Sequence, residues 1–153
     1  VNLFIAIVDI YYIIQLKFSK NVFRFVKSSY TDIVRDFIDF YTEDIKTFFP
    51  QFEKTKKDEL NYYLIIRNFI IVGLFAYRFI DSQTIFIEID YIEKKWRDLK
   101  NAKNFFKFIS ENDEFRDKKL ITRTSNKIHV DYLFKIGFKN IGNDMYEFSF
   151  QNF

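Results

Sequence analysis

"IEKKWRDLKNA", residues 92–102, is the stretch on which the reading of this chain turns. It closes a strand-like run and opens an amphipathic helix. Its spacing is that of a loop that seats a phosphate at a helix N-terminus, yet it contains no glycine. Upstream, "TIFIEIDYI" (84–92) alternates as a strand does, with Ile85, Ile87, Ile89 and Tyr91 on one face and Phe86, Glu88 and Asp90 on the other. Downstream, Leu99, Ala102, Phe105, Phe106 and Ile109 fall at helical spacing and predict a helix whose apolar stripe faces a core.

The pattern extends in both directions. "NVFRFVK" (21–27) predicts a strand, and the apolar positions from Thr31 to Phe49 predict a helix that stops before Pro50. "QFEKTKKDE" (51–59) is a polar loop. "NYYLIIRN" and "FIIVGLFAYRFI" (61–80) are apolar throughout, as expected of strands covered on both faces. "KLITRT" (119–124) is a short strand, and "SNKIHVDYLFKIG" (125–137) a helix closed by Gly137. A hairpin with Gly142-Asn143-Asp144 at its turn ends the chain. The order β, α, β, β, β, α, β, α, β, β predicts an α/β layer fold.

The chain of 153 residues, 48% hydrophobic and 22% aromatic, suits one compact domain and excludes disorder. It has no cysteine and one histidine, His129, which excludes disulfides, thiol nucleophiles, cysteine zinc sites and multi-histidine metal sites. The lack of cysteine fits a cytoplasmic setting. A net charge of +3 does not argue for nucleic acid, and no aromatic-stacking motif supports it. Basic residues do cluster: Lys94, Lys95, Arg97, Lys100, Lys103 and Lys107 face one acid, Asp98. A solvated basic helix face and an anion site both fit that cluster.

"VNLFIAIVDIYYIIQL" (1–16) is shorter than the roughly 20 apolar residues of a membrane span and contains Asp9. It reads equally as the end of a span leaving the membrane on its cytoplasmic side or as a buried segment. The expected division is therefore residues 1–20 as an apolar segment and 21–153 as one domain.

Two motifs together resemble the GNAT N-acetyltransferase superfamily. The first is that family's V-x-P-x-[YF]-R-G-x-G-x-[GA], which falls on Ile92 to Ala102. The apolar first position, the aromatic Trp96, Arg97 and the small Ala102 match, while Asp98 and Lys100 stand at the glycine positions and Lys94 at the proline. The second is N-x-x-A-x-x-[LF]-Y-x-x-x-G-F, which falls on Asn126 to Phe138, with Asn126, Gly137 and Phe138 in register.

The resemblance, over residues 21–153, implies a mixed, mostly antiparallel sheet with helices on both faces. It implies acetyl-coenzyme A as cofactor and a small-molecule or peptide amine as acceptor. It carries the coenzyme site onto Ile92, Lys94, Arg97, Asp98, Leu99, Lys100, Asn101, Ala102 and Asn126. Glu88 or Asp90 would be the base, on the strand face that lines the acceptor side in the family. Leu133 occupies the family's acid position. Tyr132, one place earlier, is the nearest tyrosine, rotated by about 100° and directed toward the core. His129 stands where the family commonly has alanine, and a lone histidine reads as a packing or surface residue. The alternative is a non-catalytic module of the same fold that senses a ligand or binds a partner. Strand carboxylates such as Glu88 and Asp90 are equally at home exposed or in ion pairs, and Asn126 is an ordinary helix-start residue.

Overall fold

The computed structural model describes residues 23–150, so the apolar segment 1–16 lies outside the described residues. Within 23–150 no helix is long and apolar enough to cross a membrane. Strands β1 (Arg24–Ser28), β2 (Asn61–Arg67), β3 (Ile70–Phe79), β4 (Thr84–Ile92), β5 (Lys119–Arg123), β6 (Lys139–Gly142) and β7 (Met145–Ser149) form one sheet. Its order is β1-β2-β3-β4-β5-β7-β6. Every neighbouring pair is antiparallel except β4–β5, which run parallel.

Helices α1 (Asp32–Phe40), α2 (Thr42–Phe48), α3 (Leu99–Ser110) and α4 (Lys127–Ile136) cover the sheet. On one face α1 and α2 bury Val34, Phe37, Ile38 and Ile45 against Tyr62, Leu64, Leu74 and Ala76. On the other, α3 and α4 bury Phe105, Phe106, Ile109, Leu133 and Ile136 against Tyr63, Phe75, Tyr77 and Leu120. Strands β2 and β3 thus feed alternate residues into two cores, which is why their sequences are apolar throughout.

Local chemistry sets the ends. Thr31 caps α1 and Asn126 caps α4, each accepting from backbone N–H groups of the first turn. Gly137 ends α4 at φ +117°, a conformation that costs glycine little and other residues much. Asn143 and Asp144, both at positive φ, make the two-residue turn between β6 and β7.

Two expectations change. The single helix over 31–49 is two helices that meet at Tyr41, where the Thr42 hydroxyl donates to Ile38 O at 2.8 Å and bends the chain. The polar loop 51–59 contains two short 3₁₀ turns, and its Phe52 is buried in the α1–α2 core.

Candidate active site

Strands β4 and β5 part company half-way along. They pair only from Thr84–Lys119 to Ile87–Thr122, after which β4 runs on to Ile92 while β5 ends and the chain turns into α4. At the fork the Thr122 hydroxyl donates to Ile87 O at 3.2 Å. Beyond it lies a cavity of about 370 Å³, walled by Asp90 and Ile92 of β4, the first turns of α3, and Ile128, His129, Asp131, Tyr132 and Lys135 of α4.

A bulge decides which carboxylate reaches this cavity. Ile89 pairs with Ala76 and Ile87 with Tyr77, so Glu88 is an extra residue in β4. The insertion flips the strand: Ile85 and Ile87 enter the α3–α4 core, whereas Ile89 and Tyr91 enter the α1–α2 core. Gly73 permits the close approach of β3 just beyond, since a Cβ there would meet Tyr91 O at 2.7 Å. Glu88 and Asp90 therefore do not share a face, contrary to the alternation in the sequence.

Glu88 is 2% exposed, accepts from Arg78 Nε at 2.8 Å and from the Thr55 hydroxyl at 3.2 Å, and stands outside the cavity wall. Asp90 faces the cavity, where the Tyr132 hydroxyl donates to its Oδ2 at 2.9 Å. Among the described residues no cation forms an ion pair with it. Burial pushes its carboxyl up to about 6 against the opposing hydrogen bond from Tyr132. Burial, and then the neighbouring Asp90, push the Tyr132 phenol well above its ordinary value. Tyr132 packs against the α3–α4 core, as its one-place offset implies, and its hydroxyl extends beyond it. The tyrosine reaches across the fork to β4.

The loop after β4 is built around its own ions. Lys94–Trp96 form a 3₁₀ turn, and Arg97 donates from Nε to Ile92 O at 2.6 Å. The Arg97 guanidinium pairs with Asp44 of α2, to which the Tyr91 hydroxyl also donates at 2.8 Å. Burial opposes ionisation of Asp44, but hydrogen bonds from Tyr91 and Arg97 outweigh it and hold the carboxyl below its usual value. Asp98 is the N-cap of α3: its Oδ1 accepts from Asn101 N and its Oδ2 from Asn101 Nδ2, both at 2.7 Å. The residue at the first glycine position thus supplies the helix terminus with an anion of its own.

Of the expected coenzyme residues, Ile92, Arg97, Asp98, Leu99, Asn101 and Ala102 line the cavity. Lys94 and Lys100 are exposed outside it, and Asn126 serves as the cap of α4 and donates to Thr47 O at 3.3 Å. His129, expected in packing or at the surface, is buried in the cavity wall, where burial pushes its imidazole down to about 4. It precedes Tyr132 by one helical turn, and that i, i+3 spacing was the signal in the sequence that the two share a face.

The seven-stranded, mostly antiparallel sheet with its helices superposes on solved structures. An acetyltransferase of the GNAT family from Staphylococcus aureus superposes with a TM-score of 0.58 at 17% identity, over 84% of this chain and 100% of that one. This chain has the GNAT fold. An aminoglycoside N(6')-acetyltransferase from Legionella pneumophila gives a TM-score of 0.60 at 14% identity, over 88% of this chain and 95% of that one. The N-acetyltransferase PseH from Campylobacter jejuni, solved in complex with acetyl coenzyme A, gives 0.53 at 14%, over 82% and 96%. No protein-family profile matches the sequence, and no curated protein does. At these identities the GNAT likeness is one of fold, and activity has to be argued from the residues.

Proposed function

We propose that the chain is an N-acyltransferase that moves an acyl group, acetyl in the simplest case, from acyl-coenzyme A to an amine of a small molecule or peptide. The observation that carries this reading is the Asp90–Tyr132 pair inside the opening between β4 and β5. A carboxyl held near 6 is largely ionised at neutral pH and still basic enough to take a proton from an attacking amine.

In the proposed step the amine nitrogen bonds to the thioester carbonyl carbon and Asp90 accepts the amine proton. The C–S bond then breaks. The leaving thiolate takes the Tyr132 hydroxyl proton, and Tyr132 recovers a proton from Asp90. Ile92, Leu99, Asn101 and Ala102 would wall the coenzyme arm, and the α3 N-terminus with Arg97, Lys94 and Lys100 would meet its phosphates. Asn126 would hold α4 in place beside them through its cap. Glu88, neutralised by Arg78 on the far side of the bulge, would shape the strand and leave the proton to Asp90.

The second reading, a non-catalytic binding module, is favoured by the Asp98 carboxylate at the α3 terminus, which competes with a phosphate for the same donors. Acetyl-coenzyme A mixed with a panel of amines separates the two. Thiol release together with an acetylated amine in the mass spectrum, both abolished in Asp90→Asn, is the result expected of the enzyme. Coenzyme binding with no product across the panel would favour the module.

A further inference from the structure

Asn68 and Phe69 make the two-residue turn between β2 and β3, and both stand at positive φ, +48° and +66°. Turns of that shape favour Asn-Gly: asparagine tolerates the left-handed region, glycine adopts it freely, and a bulky residue there is an outlier. Packing would ordinarily offset such a misfit. Phe69 is instead 56% exposed, and Ile70 beside it is 62% exposed. The hairpin tip thus carries two large apolar side chains that the core does not use, one of them in a conformation that costs stability.

The surroundings of the tip are cationic. Arg67, at the base of the turn, holds its guanidinium 3.9 Å from the centre of the Trp96 ring and 5.2 Å from that of Phe23. It forms no ion pair among the described residues. Glu93 N donates to Val72 O at 2.7 Å, which draws the loop after β4 alongside the hairpin and brings exposed Lys94 and Lys95 to the same end of the sheet. The one acid facing these three cations is Glu93, paired with Lys95 at 3.2 Å. Strand β1 also begins at this end, since Arg24 pairs with Ile66. The apolar stretch 1–16, with Lys17 and Lys20 after it, therefore joins the domain here, through Phe23.

An exposed apolar tip rimmed by cations has the chemistry of an element that enters the boundary between headgroups and acyl chains of an anionic bilayer. We propose that the β2–β3 hairpin tip docks on an anionic lipid surface, with Phe69 and Ile70 in the headgroup boundary and Arg67, Lys94 and Lys95 on the lipid phosphates. The apolar stretch that joins beside it favours a bilayer over an acidic protein, because a bilayer takes both apolar elements at once. The proposal is independent of the coenzyme reading.

Trp96 is the one tryptophan of the chain, so its fluorescence reports on this end of the sheet. The full chain is mixed with vesicles of phosphatidylserine and phosphatidylcholine in equal parts, or of phosphatidylcholine alone. Co-sedimentation reads binding, and quenching by brominated phospholipid reads the position of Trp96. The parent should sediment with the mixed vesicles and be quenched, and both effects should fade with phosphatidylcholine alone or at high salt. Phe69→Gly with Ile70→Thr should bind at least about tenfold more weakly. That variant should melt no lower than the parent, because glycine relieves the turn. Lys94→Gln with Lys95→Gln should bind about thirtyfold more weakly, the equivalent of ~1 kcal/mol for each charge.

Mixed-vesicle binding that the hairpin variant leaves unchanged, or that leaves Trp96 unquenched, would move the contact to residues 1–16 and overturn the proposal. Failure of the parent to bind either vesicle would overturn it as well. Self-association of the parent that the hairpin variant loses would then seat a second copy on the tip. Where the hairpin variant does not fold, the quenching and the lysine variant decide.

Discussion

Glu88 and Asp90 stand two residues apart on one strand and lead opposite chemical lives. Glu88 is sealed on the α1–α2 side, with Arg78 and Thr55 holding its oxygens. Asp90 opens on the α3–α4 side into a cavity, with a phenol as its partner and no ion pair among the described residues. One inserted residue produces the difference, because a bulge turns everything beyond it to the other face. A buried carboxylate that is paired contributes to structure; one left with a neutral partner has its proton affinity raised and becomes available for chemistry.

Asp90→Asn should break that comparison most completely. Loss of the base should lower turnover by about a hundred- to ten-thousandfold, measured as thiol release. Stability should move the other way. Folded Asp90 titrates at about 6 against an ordinary 3.8, so between those values the folded chain holds a proton the unfolded chain has lost. The penalty for burying its charge is then fully present above pH 6 and is relieved as pH falls toward 4. Asp90→Asn should therefore be more stable than the parent at pH 8, by about 3 kcal/mol in urea unfolding, and nearly indistinguishable from it near pH 4.

Glu88→Gln should do the reverse. The Arg78 pair is lost, stability falls by about 1–3 kcal/mol, and turnover per folded molecule stays within a fewfold of the parent. A collapse of turnover at full stability would assign the proton to the wrong carboxylate.

Tyr132→Phe sharpens the account of Asp90. Its hydroxyl favours the ionised carboxylate, so its removal should raise the Asp90 pKa and shift the ascending limb of the pH–rate profile to higher pH. The smallest effect belongs to Asp98→Ser, which keeps a capping oxygen but removes the charge from the α3 terminus. Coenzyme A should bind more tightly by about fivefold, or ~1 kcal/mol, in calorimetry.

Much of the scaffold was legible in the sequence. The two-sided cores of β2 and β3, the Gly137 terminus and the final turn each left a local signature, because helix ends and tight turns constrain residue type directly. The bulge left none. "IFIEIDYI" alternates without a break through the inserted Glu88, so the flip that separates Glu88 from Asp90 does not register in the pattern. The partnership of Arg97 with Asp44, 53 positions apart, is equally silent, since no local spacing reports a contact between α2 and the loop after β4. Tyr132 was visible as a residue but not as a neighbour of β4. A helical angle says which way a side chain points, not that two strands have separated to receive it.

The most direct test is calorimetric titration of the full chain with acetyl-coenzyme A beside an Ala102→Trp variant, in which the indole would fill the opening that Ala102 lines. Saturable binding by the parent, lost in a variant that retains its circular dichroism spectrum, is the result expected if the donor lies between β4 and β5. Binding that the tryptophan leaves untouched, or no binding at millimolar ligand, would contradict that placement.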